Sequence, residues 1–463
     1  MAARVKDMTS GSPAKHILFF ALPLMLGNIL QQLYTMIDSI VIGRFVGLKA
    51  FAAVGAADSL NWLVLSTIIG FFQGFSILIA QCFGAEDHDG LRKATAMSIL
   101  LSGLIAVTCT AVFIPLIRPI LHLLKTPAVV IDESALFLRV LFSGTIVIAG
   151  YNIFSSILRA LGDSKTPLVA MSLGAIINIL LDILFVVALR MGVAGAALAT
   201  VCAQLFTCVY CLLAVRSIPL LRLTRTDWVP DRAVIRRLMV LGTPMAFQNG
   251  IIGIGSSVVQ AVINGFGVIF VAGYTATMKL YGLLELAATS FGFSMASFTG
   301  QNLGAKKYRR IKSGLNAALK MSVSIACVIS AVILLLGRQI VRLFISGNPG
   351  DVNAAVDVAY HYLFVMGLSL FILYMLYVYR SALQGMGDTV VPMVSGIVEL
   401  CMRVGVVLLL PLLIGRNGVY FAEALAWLGA TVLLMITYYL RIHNLFRLER
   451  EEKEKAATEP EII

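Results

Sequence analysis

Residues 167–190 read PLVAMSLGAIINILLDILFVVALR, and this run decides what kind of protein the chain is. As a helix rising ~1.5 Å per residue, it is long enough to cross a hydrocarbon core roughly 30 Å thick. It lacks the strict apolar–polar alternation of a membrane β-strand. Within it stand an amide and a carboxylate, Asn178 and Asp182, four residues apart and therefore on one helix face. A carboxylate at that depth is costly unless it is paired, hydrated, protonated or bound to a cation.

Eleven further runs of this kind lie outward from it: 15–43, 51–80, 91–116, 135–160, 192–215, 237–264, 270–299, 313–337, 357–383, 391–414 and 418–440. Composition agrees. The 463 residues are 59% hydrophobic and 13% charged, with mean hydropathy +0.92. A soluble domain carries about 25% charged residues, so this chain has too little polar surface to be clothed by water. The expected fold is an all-α membrane protein of about 12 transmembrane helices.

The net charge of +12 would suit a nucleic-acid binder, but its placement argues against that partner. Basic residues gather in the termini and in alternate loops, at Arg216, Arg222, Arg225, Arg232, Arg236 and Arg237, and again at Lys306, Lys307, Arg309, Arg310 and Lys312. With both termini in the cytoplasm these loops face inward, as the positive-inside rule requires. The seven cysteines fall within or at the ends of apolar runs and read as small buried hydrophobes rather than a disulfide framework or zinc site. The first apolar run continues past Pro23 to Asn28, Gln31, Gln32 and Asp38 without a small-residue cleavage site, so it reads as a span and not a signal peptide.

The chain also resembles itself at an offset of about 220–226 residues. Leu22-Pro23 and Asn28 match Thr243-Pro244 and Asn249. Gln81 to Ala85 match Gln301 to Ala305. Gly162-Asp163 and Pro167 match Gly387-Asp388 and Pro392, and Gly192-Val193 match Gly418-Val419. Six helices separate equivalent points, so two six-helix lobes are expected, related by a pseudo-two-fold axis along the membrane normal. The expected borders are 1–215 for the first lobe, 216–236 for a basic cytoplasmic linker, 237–440 for the second lobe and 441–463 for a charged cytoplasmic tail.

Polar residues inside the spans mark candidate sites. In the first lobe Asp38 has Tyr34 one turn earlier, Asp182 has Asn178, and Asn152 and Thr200 add an amide and a hydroxyl. Two carboxylates with neutral oxygens can cage a small hard cation, and equally can share a proton, because adjacent carboxylates resist double ionisation. The second lobe departs from this set. Arg403 and Val407 stand at the equivalents of Asn178 and Asp182, and Glu399–Arg403 forms its own i, i+4 pair, read as structural. Glu285 and Glu423 are further acids that would attract cationic substrate, with Lys279 and Arg380 as their available partners. Pro23 and Pro244 lie in helix interiors, where loss of a hydrogen bond favours a hinge.

These residues resemble the multidrug and toxic compound extrusion (MATE) family. The duplicated lobes, Leu22-Pro23, Asp38-Ser39-Ile40-Val41-Ile42-Gly43 and the Gly192-Val193 to Thr200 segment carry the likeness, which in the first lobe is closest to the DinF-like branch. The resemblance implies a first-lobe cation site of Tyr34, Asp38, Asn152, Asn178, Asp182 and Thr200, with Pro23 as the bending residue. The NorM-like branch places coupling acids on the seventh helix, and this sequence has no carboxylate within 241–264.

The function so implied is antiport by alternating access: amphipathic or cationic small molecules leave in exchange for H⁺ or Na⁺, with no cofactor and no metal beyond Na⁺ at those residues. The expected setting is a bacterial inner membrane, crossed many times by a monomer. A flippase for lipids or lipid-linked oligosaccharides is the alternative. A membrane enzyme is a distant third, since His16, His88, His122, His361 and His443 are scattered and no catalytic motif is present.

Overall fold

A computed structural model describes residues 5–345 and 348–458, which fold almost entirely as helix. In order these are α1 (Pro13–Val41), α2 (Leu48–Gly84), α3 (His88–Leu123), α4 (Ala128–Ser143), α5 (Thr145–Ala160), α6 (Lys165–Asp182), α7 (Gly192–Arg216), α8 (Arg232–Asn264), α9 (Val268–Gly304), α10 (Tyr308–Arg342), α11 (Pro349–Gly385), α12 (Val390–Ile414) and α13 (Ala422–Thr458). One expected span, 135–160, is two helices: α4 and α5 meet at 51° at Gly144. A Cβ there would lie 2.6 Å from the Val201 side chain of α7, so only glycine lets the bend sit against that helix.

Nine stretches among the described residues are long and apolar enough to cross a membrane, and the bent pair α4–α5 makes a tenth. The last of the nine, Val390–Glu451, is two helices, α12 and α13, joined by the 3-10 turn Gly415–Phe421 and packed against each other. α9 is not among these stretches; Lys279 and Glu285 interrupt its first half, and Ser290, Ser294, Ser297, Thr299, Gln301 and Asn302 make its second half polar. With it the twelve expected spans are all helical. The outward faces are greasy, with Leu335, Leu412 and Leu413 at 76%, 80% and 81% exposed, a surface suited to lipid. Cys327 and Cys401 share that exposure and are not the buried hydrophobes expected of them.

Two compact units divide the chain, one of Met1–Asp7 with Phe20–Gly250, the other of Met8–Phe19 with Ile251–Ile463. The chain therefore changes unit inside α1, three residues before Pro23, and inside α8, six residues after Pro244, rather than in the basic stretch 216–236. Both helices continue past their prolines. Residues 441–458, expected as a solvated tail, extend α13.

Each unit repeats the other's punctuation. α2 and α9 both run 37 residues. They end on Gly84 and Gly304, followed by Glu86 and Lys306 at φ of 57° and 55°. The first unit has one large core from α2 to the start of α8, with Phe72, Phe75, Leu138, Ile157 and Leu238 at its centre.

The segment 216–236 is docked onto the first unit by its acids, although its net charge is basic. Asp227 closes a capping box with Thr224, and Asp231 accepts from the Ala233 and Val234 N–H groups at 2.9 and 3.2 Å. On α3, Arg92 reaches Asp227 at 3.7 Å and Lys93 reaches Asp231 at 2.9 Å. The Thr224 N–H holds Asp227 below the usual carboxylate range, and Lys93 chiefly does the same for Asp231. A depressed carboxylate contributes stability above its unfolded value, and that contribution is lost as pH falls through the folded one. The docking is therefore expected to loosen below about pH 4. At neutral pH Asp227→Ala removes a cap of about 1 kcal/mol, or roughly fivefold faster amide exchange across 222–229. Unchanged exchange in that variant would show that the capping box does not hold the linker.

Candidate functional site

The first unit places Asp38 near the end of α1 and Asp182 as the last residue of α6. Each carboxylate is followed by a π-helical turn, Ile42–Val46 and Ile183–Ala188, and the two turns contact each other. A π-turn widens the backbone ring and re-aims the side chains before it, a feature frequent at functional sites. Here it follows the two spans that carry Asp38 and Asp182. The Asp38 and Asp182 carboxyls lie close enough to feel each other's charge.

Asp182 is fully buried and Asn178, one turn before it, is 2% exposed. Among the described residues no protein hydrogen bond reaches either Asp182 oxygen, either polar atom of the Asn178 amide, or Asp38 Oδ1. No arginine or lysine pairs with either acid in that same set. A fully buried carboxylate beside a half-buried one, without a basic partner, is unstable as two negative charges. Its charge must be met from outside the protein, by a proton or a small cation.

Beside the pair is a cavity of about 30 Å³, with room for a water or two. Tyr34, Asn178 and Thr200 line it. Tyr34 also lies in the field of Asp38. The Thr200 hydroxyl donates to the Ala196 carbonyl at 3.1 Å, which leaves its oxygen free to accept or coordinate. Asn152 is placed differently: its Nδ2 donates to the Ile148 carbonyl of its own helix at 2.9 Å, and it is not in the cavity wall.

Four polar wall residues escape the sequence reading: Gln31, Tyr151, Gln204 and Thr207. Helical spacing carries a signal for two of them, since Gln31 is three residues before Tyr34 and Gln204 four after Thr200. Gly174 closes the wall, because a Cβ there would lie 2.4 Å from the Thr207 methyl, so glycine lets α6 and α7 meet. Asp58, a further acid within the span 51–80, is also missed; it is exposed and forms no ion pair among the described residues.

A donor set of two carboxylates with amide and hydroxyl oxygens fits a proton or a monovalent hard cation. No group of three His, Cys, Asp or Glu side chains gathers anywhere among the described residues, which leaves no transition-metal cluster there.

The second unit handles its acids in the opposite way. Glu399 is bound by Arg380, Arg403 by Glu423 at 2.7 Å, and the expected Glu399–Arg403 pair is the long contact, at 3.9 Å. All four side chains are buried. The intrahelical spacing allowed the pair, but neighbouring helices offer each charge a better partner. Lys279 is exposed and joins no ion pair among the described residues, while Glu285 is bound by the Tyr377 hydroxyl. Tyr281, one turn before Glu285, stacks on the buried Trp427. The cluster thus holds three carboxylates against two guanidiniums, and Glu285 is the acid without a cation.

Known proteins are similar throughout. The MatE family profile matches residues 23–184 and again 244–409, once in each half. A probable multidrug resistance protein of Bacillus subtilis, YpnP, is 32% identical over 344 residues, covering 73% of this chain and 76% of the relative. The Escherichia coli DNA damage-inducible protein F is 26% identical over 344 residues, covering 72% and 73%. Among solved structures, a MATE protein in a bent conformation superposes with TM-score 0.89 at 24% identity, covering 97% of this chain and 99% of that one. A MOP-superfamily transporter from Pyrococcus furiosus, described as having a binding pocket of reverse polarity, superposes with TM-score 0.90 at 24% identity, covering 96% and 99%.

Proposed function

Because the chain belongs to the MATE family of membrane transporters, we propose that it is a secondary active exporter that moves amphipathic or cationic small molecules outward in exchange for H⁺ or Na⁺. The observation that carries this reading is the Asp38–Asp182 pair: two acids close enough to feel each other's charge, one fully buried and the other half-buried, with no basic partner among the described residues. Such a pair has a high affinity for one positive charge, and that affinity changes when the helices bearing it move. Only a difference in affinity between two conformations lets an ion gradient drive the exchange.

In this scheme α1 carries Asp38 and Tyr34 while α6 carries Asn178 and Asp182, so a shift of α1 about Pro23 opens or closes the site. The cation entering from outside replaces the missing partner of the carboxyls, and its release inside resets them. The relatives named as multidrug resistance or export proteins support a multidrug transporter. The reading places the protein as a monomer in a bacterial inner membrane, with both termini in the cytoplasm.

The test is efflux of a fluorescent cationic dye from proteoliposomes that carry an imposed H⁺ gradient, Na⁺ gradient or neither. Dye movement under one gradient alone identifies the coupling ion and supports the exporter. Dye movement under neither would sink the multidrug reading and bring the lipid-linked substrates of a flippase forward.

A further inference from the structure

At the start of α10 the second unit carries a groove of about 560 Å³, lined by Ala14, Arg309, Lys312, Ser313, Asn316 and Lys320 with Ala317 and Met321. Comparison with the other unit shows what is unusual about it. At the internal offset of 220 residues, Asp89, Arg92 and Lys93 at the start of α3 correspond to Arg309, Lys312 and Ser313. In the first unit those bases are neutralised, Arg92 by Asp89 and Asp227, and Lys93 by Asp231 of the docked linker. Further along the stripe, Ala96 and Leu100 correspond to Asn316 and Lys320.

The second unit has replaced the acid by Arg309 and added Lys320. Among the described residues Arg309, Lys312 and Lys320 form no ion pair, and all three are exposed. Their neighbours Lys307 and Arg310 are engaged: Lys307 holds the Thr9 carbonyl at 3.0 Å, and Arg310 holds the carbonyls of Met8, Ser10 and Gly11 at 2.6–3.1 Å. Beside the groove the neighbouring bases are thus taken up, and within it three cations have no ion-pair partner among the described residues.

We propose that this groove binds the headgroup of an anionic phospholipid. The charge is complementary to a phosphate diester, and Ser313 and Asn316 supply donors for a polar headgroup between the bases. Position on the helix selects a lipid over a soluble anion. The stripe that bears Arg309, Ser313, Asn316 and Lys320 runs on along α10 to Val328, Val332 and Leu335, exposed by 65%, 44% and 76%. A headgroup held by the bases would lay its acyl chains along that apolar track.

The experiment titrates purified protein in neutral detergent with dihexanoyl phosphatidylglycerol, dihexanoyl phosphatidylcholine or free glycerol phosphate, reading the thermal unfolding midpoint. Wild type is expected to be raised by phosphatidylglycerol alone, and less so in high salt. The R309Q/K312Q/K320Q variant should bind phosphatidylglycerol about a hundredfold more weakly at low salt. These side chains are exposed, so the variant is expected to fold; if it does not, the single K320E substitution should still weaken binding about tenfold or more. Equal shifts with phosphatidylcholine, or unchanged binding in the variants, overturn the proposal. An equal shift with free glycerol phosphate overturns the lipid assignment.

Discussion

Asp182→Asn and Asp38→Asn are each expected to abolish gradient-driven export while leaving the protein folded. Asparagine keeps the shape and the hydrogen-bonding oxygen but removes the charge that a cation would meet. The effect on stability should run opposite to the effect on transport. Asp182 is fully buried beside a second carboxyl with no donor reaching its oxygens, so replacing it relieves a desolvated charge. The variant should be as stable as the wild type or more so, by roughly 0–2 kcal/mol. This is the pattern of a site kept for function at a cost in stability. Thermal unfolding in detergent beside transport in liposomes checks both halves. A large loss of stability in Asp182→Asn would mean that the carboxylate has a structural partner, and the coupling assignment would fail.

The second large effect lies in the other unit. Arg403→Ala leaves Glu423 buried without its partner at 2.7 Å and strips Glu399 of its second contact. Removing one member of a buried pair is expected to cost about 3–5 kcal/mol. Replacing both, as R403M/E423L, should restore most of the loss, because the uncompensated charge is then gone. The double-mutant cycle on apparent unfolding free energy measures this. Additive losses would show that the two residues do not act as a pair. Arg380→Ala should behave similarly through Glu399, to which it is bound. Glu285→Gln is expected to cost little stability, since that acid is held by a tyrosine hydroxyl and no guanidinium.

The contrast between these two effects explains which features of the protein were legible in its sequence. Hydropathy made the spans visible, and the i, i+4 spacing placed Asn178 and Asp182 on one face, because helical periodicity is a local property. The repeat was visible because each half reuses the same breaks, at Gly84 and Gly304 and at Gly162 and Gly387, the last two at φ of 83° and 86°. Partner choice between helices was not local and stayed hidden. Nothing in the spacing of Glu399 and Arg403 says that Arg380 and Glu423 lie closer to each of them. Asn152 has the right chemistry on the right span, yet its amide is turned to its own helix. Gln31, Tyr151, Gln204 and Thr207 were passed over because a neutral polar residue in an apolar helix is common and carries no charge to draw notice. The change of unit within α1 and α8 was also beyond reach, since the linker looked like the natural border by composition.

The most direct test of the central claim separates coupling from substrate movement. In proteoliposomes, gradient-driven dye accumulation and gradient-free exchange of labelled for unlabelled dye are measured side by side, for wild type and the D38N/D182N variant. If the carboxylate pair of the first unit is where the ion is read, the variant loses accumulation under both H⁺ and Na⁺ gradients yet retains exchange. If the variant still accumulates dye against its gradient, the ion is read elsewhere, and the account given for Asp38 and Asp182 is wrong.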